Sequence, residues 1–177
     1  MADRLRAEIQ QSKPFQSLEQ EATLNLIRTA SLMEQIGVAV LKPHGLSLSQ
    51  HNVLRILRGA GEHGLKCSAV AERMITRDPD VTRLFDRLER ERLITRQRSS
   101  DDRRVVNVKI SDAGTRLLAT LDEPMHAAHR TAMTHMGREK LTQLIELLEE
   151  ARGSAVLGFE TAFEAAKKSG KQEVTKQ

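Results

Sequence analysis

Asp78-Pro79-Asp80-Val81-Thr82-Arg83-Leu84-Phe85-Asp86-Arg87-Leu88-Glu89-Arg90 is followed by Ile94-Thr95-Arg96-Gln97-Arg98 and then by Val106-Asn107-Val108-Lys109-Ile110. Two hydrophobic periods stand side by side here. Asp78 before Pro79 predicts a helix start, because aspartate accepts from free amide groups and proline at the first helical position loses no hydrogen bond. Val81, Leu84, Phe85 and Leu88 recur at i, i+3, i+4 and i+7 as one buried stripe, so Arg83, Asp86, Arg87 and Arg90 face the other way. From Ile94 the period falls to two. Ile94–Arg98 is predicted to pair with Val106–Ile110 across Ser99–Arg103, a hairpin whose tip carries Arg96, Arg98, Arg103 and Arg104.

Two short helices precede this unit. Ser47 and Gln50 have capping-box spacing ahead of Val53, Leu54 and Leu57, and Gly59 and Gly61 end that run. Ser68–Met74 make about two further turns, with small Ala69 and Ala71 suited to close helix approach. Upstream, Ser17 and Gln20 repeat the capping-box spacing. Ala22, Leu26, Ala30, Met33, Gly37 and Val40 then mark a long amphipathic helix stopped by Pro43. Downstream, Ser111 caps a fifth helix that Pro124 kinks or restarts after Asp122, and Leu141, Leu144, Ile145, Leu148 and Ala155 mark a sixth. The reading is a mainly α, winged-helix (α+β) fold of six helices and a β-hairpin wing. Residues 46–114 form a winged helix-turn-helix lobe, 17–45 and 115–166 are dimerisation helices, and 1–16 and 167–177 are flexible ends, the first of them, broken by Pro14, readable as a loose arm or a short separate helix.

Composition sets the class of partner. The 177 residues carry 28 Lys/Arg and 24 Asp/Glu, and residues 66–109 hold 12 of the former and 8 of the latter, which is the whole net +4. Trp and Tyr are absent and Phe occurs four times, so the aromatic stacking platforms of single-strand binders are missing and a duplex is the expected nucleic acid. One cysteine makes neither an internal disulfide nor a multi-thiolate zinc site, and no apolar run of membrane-spanning length occurs. A cytoplasmic protein without a membrane partner is expected.

A helix, a turn and a second helix with exposed arginines constitute a helix-turn-helix, whose second helix enters the major groove. Arginine there bonds guanine O6 and N7 in a bidentate way, and Thr82 reaches a phosphate or a thymine methyl. Asp80 and Asp86 lie on or near that face and are expected to orient arginines rather than accept from cytosine. Arginine at the hairpin tip suits the narrow minor groove, with Asp102 orienting Arg104. The expected DNA contacts are Ser68, Arg77, Asp80, Thr82, Arg83, Arg87, Arg98, Asp102, Arg103 and Arg104. The bland alternatives are a solvated helix face and a charged hairpin edge that prevents aggregation. A winged-helix module whose arginine face binds an acidic protein is the alternative function.

The stretch Leu46-Ser47-Leu48-Ser49-Gln50-His51-Asn52-Val53-Leu54, the Asp80-Val81-Thr82-Arg83-Leu84 start, the Leu88-Glu89-Arg90 end, the Asp102-Arg103-Arg104 tip and Ile110-Ser111-Asp112-Ala113-Gly114 together resemble the MarR family of winged-helix transcriptional regulators. The resemblance spans roughly 46–118. It implies a helix-interleaved homodimer on a pseudo-palindromic operator, a repressor released by a small aromatic or phenolic effector or by an oxidant, and an Arg104 side chain in the minor groove. Two positions depart from the family pattern. Arg92 stands where glycine is common before the wing, and Lys66 and Ala69 replace the usual hydroxyl cap and acidic partner of the third helix.

Other chemistry is sparse. Cys67 lies near a helix start that lowers a thiol pKa, which makes a redox-sensing regulator a further alternative, beside the reading of a packed small residue. His126, His129 and His135 lack a convincing set of acidic co-ligands and are expected to be solvated. No G-x-S-x-G, P-loop or HExxH pattern occurs, so neither an enzyme nor a cofactor is expected. An effector pocket is expected where the first, second and fifth helices meet the lobe, with Met33, Val40, His51 and Leu54 as lining candidates by position, each also readable as filled core.

Overall fold

The structure, a computed structural model, describes residues 4–76, 80–98 and 106–174, with the side chains of 157 and 159–174 outside that description. Its helices are α1 (Arg4–Glu8), α2 (Leu18–Leu41), α3 (Leu48–Ala60), α4 (Cys67–Arg73), α5 (Val81–Arg90), α6 (Asp112–Met133) and α7 (Gly137–Val174). Its strands are β1 (Leu65–Lys66), β2 (Ile94–Arg98) and β3 (Val106–Ile110). This is a mainly α winged-helix fold. Six helices and the wing follow the order read from the sequence, and β1 is an addition to it. Leu5 of α1 is 5% exposed, so of the two readings of residues 1–16 the short helix is the one seen over 4–8, with one buried leucine. α7 continues beyond Lys167, where a polar tail is predicted.

Local chemistry sets the helix ends. At α3 the capping box is complete: Gln50 N–H donates to Ser47 Oγ at 3.1 Å, and Ser47 N–H donates to Gln50 Oε1 at 2.9 Å. At α2 Ser17 Oγ accepts from Gln20 N–H at 3.2 Å, but Gln20 Oε1 takes the Gln16 amide instead of closing the box on Ser17. α5 begins later than Asp78-Pro79 predicts. Asp80 is its N-cap, with its carboxylate accepting from Arg83 N–H at 3.3 Å. Both aspartates have cap chemistry, and Asp80 is the one in reach of the third helical amide; Asp78 and Pro79 lie outside the described residues. Pro124 neither restarts nor ends α6, because Leu121 and Met125 on either side of it are buried and hold the helix through one lost backbone bond.

Arg92 resolves the question raised by its missing glycine. It takes the left-handed conformation, φ 58°. Around it, Arg92 N–H donates to Glu89 O and Leu93 N–H to Leu88 O, both at 2.9 Å, the paired bonds of a Schellman ending for α5. Ser111 then locks the wing's exit: its Oγ donates to Arg92 O at 2.7 Å and accepts from Gly114 N–H at 3.0 Å. A Cβ at Gly114 would lie 2.3 Å from Leu93 O, so glycine is required for α6 to start this close to the wing.

The chain divides into two compact units, Met1–His129 and Arg130–Gln177. In the first, the sheet order is β1-β3-β2, all antiparallel, with Ile94 opposite Ile110, Arg98 opposite Val106 and Leu65 opposite Val108. Gly64 makes β1 possible, since its φ of 65° and its approach to Val108 O exclude a side chain. Leu54, Leu57, Val70, Phe85, Leu88, Ile94 and Val108 form the core beneath the lobe, which continues into Leu41 of α2 and Leu118 and Leu121 of α6. The buried core therefore extends past both 46 and 114. In the second unit, Thr134–Met136 form a 3₁₀ turn that Gly137, at φ 71°, joins to α7. No helix among the described residues is long and apolar enough to cross a membrane.

Candidate nucleic-acid interface

Burial of Leu84, Phe85 and Leu88 turns the opposite face of α5 to solvent, as the 3.6-residue period requires. On that face Thr82, Arg83, Arg87 and Arg90 are all exposed, the Arg83 side chain at 87%. Asp80 orients Arg83 as read from the sequence: its Oδ2 lies 3.0 Å from Arg83 Nε while its other oxygen caps the helix. Arg87 Nε lies 3.8 Å from the Glu91 carboxylate. Ser68 is exposed at the start of α4 and Arg98 at the end of β2. Arg77, Asp102, Arg103 and Arg104 lie outside the described residues.

Arg96 does not join the basic tip. Its Nε donates to Glu89 Oε2 at 2.8 Å and its Nη2 to Asp86 Oδ1 at 2.7 Å, with a further bond to Glu89, and its side chain is only 24% exposed. These bonds push its guanidinium pKa further above the usual arginine value and pin β2 to α5. Asp86 therefore orients an arginine of the wing rather than one of its own helix. The consequence is electrostatic: both acids in the middle of α5 are engaged by Arg96, so the acids beside the exposed arginines are Asp80 at the helix start and Glu91 at its end.

The third helix starts as its sequence implies. Lys66 is the N-cap of α4 and supplies no side-chain bond, leaving an exposed cation beside Ser68. A cavity of about 550 Å³ opens between α4, α5 and the wing, lined by Lys66, Cys67, Ser68, Thr82, Phe85 and Arg96 among others. Cys67 is half-buried in its wall, and burial pushes the thiol pKa up, against a smaller lowering by Arg96. That desolvation works against the thiolate that oxidation needs, so the redox reading of Cys67 is not favoured.

Of the four candidates for the effector pocket, Leu54 is fully buried in the core, Val40 packs against that core, and Met33 is half-buried on α2. His51 lines a cavity of about 110 Å³ together with Arg55, Arg58, Asp122, His126 and His129. Arg58 donates to both Asp122 oxygens at 2.8 and 2.9 Å, an α3–α6 link between positions 64 apart that the sequence does not signal. That bond holds the Asp122 carboxyl below the usual range. Burial, aided by Arg55 and Arg58, lowers the His51 pKa and keeps the imidazole neutral. Among the described residues no cluster of three or more ligating side chains could hold a metal.

This geometry has known counterparts. The MarR family model matches residues 46–106. A solved MarR transcription factor from Planctomyces limnophilus is 40% identical, with 77% of this chain and 98% of that one covered and a TM-score of 0.61. The chain belongs to the MarR family. It is a DNA-binding transcriptional regulator. The chain is also 34% identical over 114 residues to the transcriptional repressor MdtR of Bacillus subtilis (strain 168), covering 64% of this chain and 63% of that protein's length. NadR, solved in complex with 4-hydroxyphenylacetate, is 26% identical, with 78% of this chain and 97% of that one covered and a TM-score of 0.61.

Sequence reasoning missed one further feature of the MarR lobe. Ile75, in the turn between α4 and α5, is 82% exposed and is fixed there by its N–H donating to Asn52 Oδ1 at 2.9 Å. An apolar residue before the expected helix start was the available signal.

Proposed function

We propose that this MarR regulator is a homodimeric repressor. Two copies of α5 occupy successive major grooves of a pseudo-palindromic operator, and the wings, through Arg103 and Arg104 steered by Asp102, reach the flanking minor grooves. Arg77, Ser68 and Arg98 contact the backbone beside α5. The observation that carries this reading is the engagement of Asp86 and Glu89 by Arg96, which leaves Thr82, Arg83, Arg87 and Arg90 as an exposed cationic face. Apolar side chains without cover support the dimer. α2 exposes Leu18, Leu26, Ile27, Leu32 and Val38, and α7 exposes Ile145, Leu147 and Val156, more than a monomer leaves uncovered along two helices.

A small aromatic or phenolic acid is the proposed effector, acting at the basic cavity lined by His51, Arg55 and Arg58; the ligand of NadR is of this class. The protein acts in the cytoplasm with the DNA it binds. Selection of duplexes from a random pool tests the reading. The expected product is a two-fold site whose affinity falls steeply as salt rises, because displaced counterions supply much of the binding energy. Candidate phenolic acids are then screened for release of that duplex. Absence of any duplex preference at low salt would return the arginine face to the protein-interaction alternative.

A further inference from the structure

Ser47 and Gln50 at the start of α3 and Asp80, Arg83, Leu84 and Arg87 around the start of α5 line a third cavity, about 240 Å³. Gln50 is 1% exposed, and its amide is used at one end only. Oε1 closes the capping box on Ser47 N–H, while Nε2 is the single buried side-chain nitrogen or oxygen among the described residues without a hydrogen-bond partner. A buried donor left unpaired costs about 1–3 kcal/mol, so an orphan beside a binding face points to an acceptor that arrives with the ligand.

The wall identifies the acceptor's charge. Arg83 and Arg87 are cations, Asp80 is an anion already paired with Arg83, and the free amides of the α3 N-terminus add partial positive charge. The lining is therefore net cationic by one, the complement of a single phosphodiester. It also adjoins the α5 face that enters the groove, where the DNA backbone must pass.

We propose that this cavity seats one backbone phosphate of the bound duplex in each half-site, the phosphate accepting from Gln50 Nε2 and being neutralised by Arg87. The inference rests on the DNA-binding reading and adds a positioning residue from α3, outside the helix-turn-helix pair itself. Such a contact fixes the register of α5 without reading a base.

Glutamate at position 50 separates the two ends of the side chain, because it keeps the capping oxygen and removes the donor. The full chain and its Gln50→Glu variant are titrated with the selected duplex and with duplexes carrying one neutral methylphosphonate at each backbone position in turn. The expected result is a folded variant, DNA binding weakened at least about tenfold, and one phosphate per half-site whose neutralisation weakens the wild type and no longer affects the variant. A loss spread evenly over all phosphates would mean general charge repulsion and overturn the proposal, as would unchanged affinity. Gln50→Leu is the companion if buried glutamate prevents folding: it lowers the thermal midpoint by removing the cap, and the same single phosphate must still lose its effect. Inorganic phosphate that stabilises the wild type and displaces DNA would assign the cavity to a free anion instead. A wild type that binds no duplex removes the DNA-binding reading; one that binds while no phosphate couples to position 50 removes this inference alone.

Discussion

Arg92 holds a backbone conformation in which a Cβ crowds the neighbouring carbonyl, at φ 58°. Arg92→Gly is expected to raise stability by about 0.5–1 kcal/mol, the strain relieved less the added freedom of the unfolded chain. A higher denaturant midpoint at unchanged slope checks it. Arg83→Ala is expected to cost about 1–3 kcal/mol of DNA affinity concentrated at particular base pairs; equal loss on every operator variant would assign Arg83 to phosphate alone. His51 carries the pH prediction. Its folded pKa is lowered, chiefly by burial, so below the ordinary histidine value the unfolded chain takes up a proton that the folded chain resists. Its contribution is fully present above about pH 6.5 and is lost as pH falls from there through the lowered folded value. His51→Gln should flatten that part of a stability–pH curve. Asp122 acts in a lower window: its depressed carboxyl stabilises the fold above the ordinary aspartate range and ceases to as pH falls through its folded value. The identity of each of these residues was legible; their environments were not, since burial of His51 and the reach of Arg58 to Asp122 depend on chain segments far apart in sequence.

α5 and the wing act as one element because Arg96 ties them. Arg96→Ala is expected to destabilise the fold by about 1–3 kcal/mol, since Asp86 and Glu89 lose their shared donor. It should also weaken DNA binding beyond that, because two carboxylates become unpaired on α5. Arg96→Lys recovering stability but not DNA affinity would show that the forked geometry matters, as a point charge cannot serve both acids. The periodicities that located α5, β2 and β3 are local properties of five to ten residues and were readable. β1 was not: two residues show no period, and Leu65–Lys66 becomes a strand only because Gly64 lets the chain pass against Val108. The start of α5 was misplaced for a related reason, since two aspartates two residues apart offer the same cap and only the fold selects Asp80.

In the proposed mode a dimer places two α5 helices on one operator, and Ile27, 60% exposed on α2, is a direct probe of it. Ile27→Asp is expected to shift the protein to monomer in sedimentation at micromolar concentration and to lower DNA affinity by a factor on the order of 10²–10⁴, the gain that linking two sites confers. Monomer with unchanged affinity would reject a bivalent mode of binding. The amino-acid sequence carried the elements, their order, the winged-helix class and the location of the excess charge, because helical and strand periods, caps and net charge are properties of neighbouring residues. Which charges remain available, however, depended on folding. Arg96 belongs by sequence to the basic tip, and by packing to the base of α5; Cys67 has the placement of a reactive thiol, and a burial that suppresses the thiolate; Gln50 reads as a cap, and holds an unpaired donor beside the recognition face. Those outcomes follow from contacts between residues distant in the chain, which only the tertiary structure brings together.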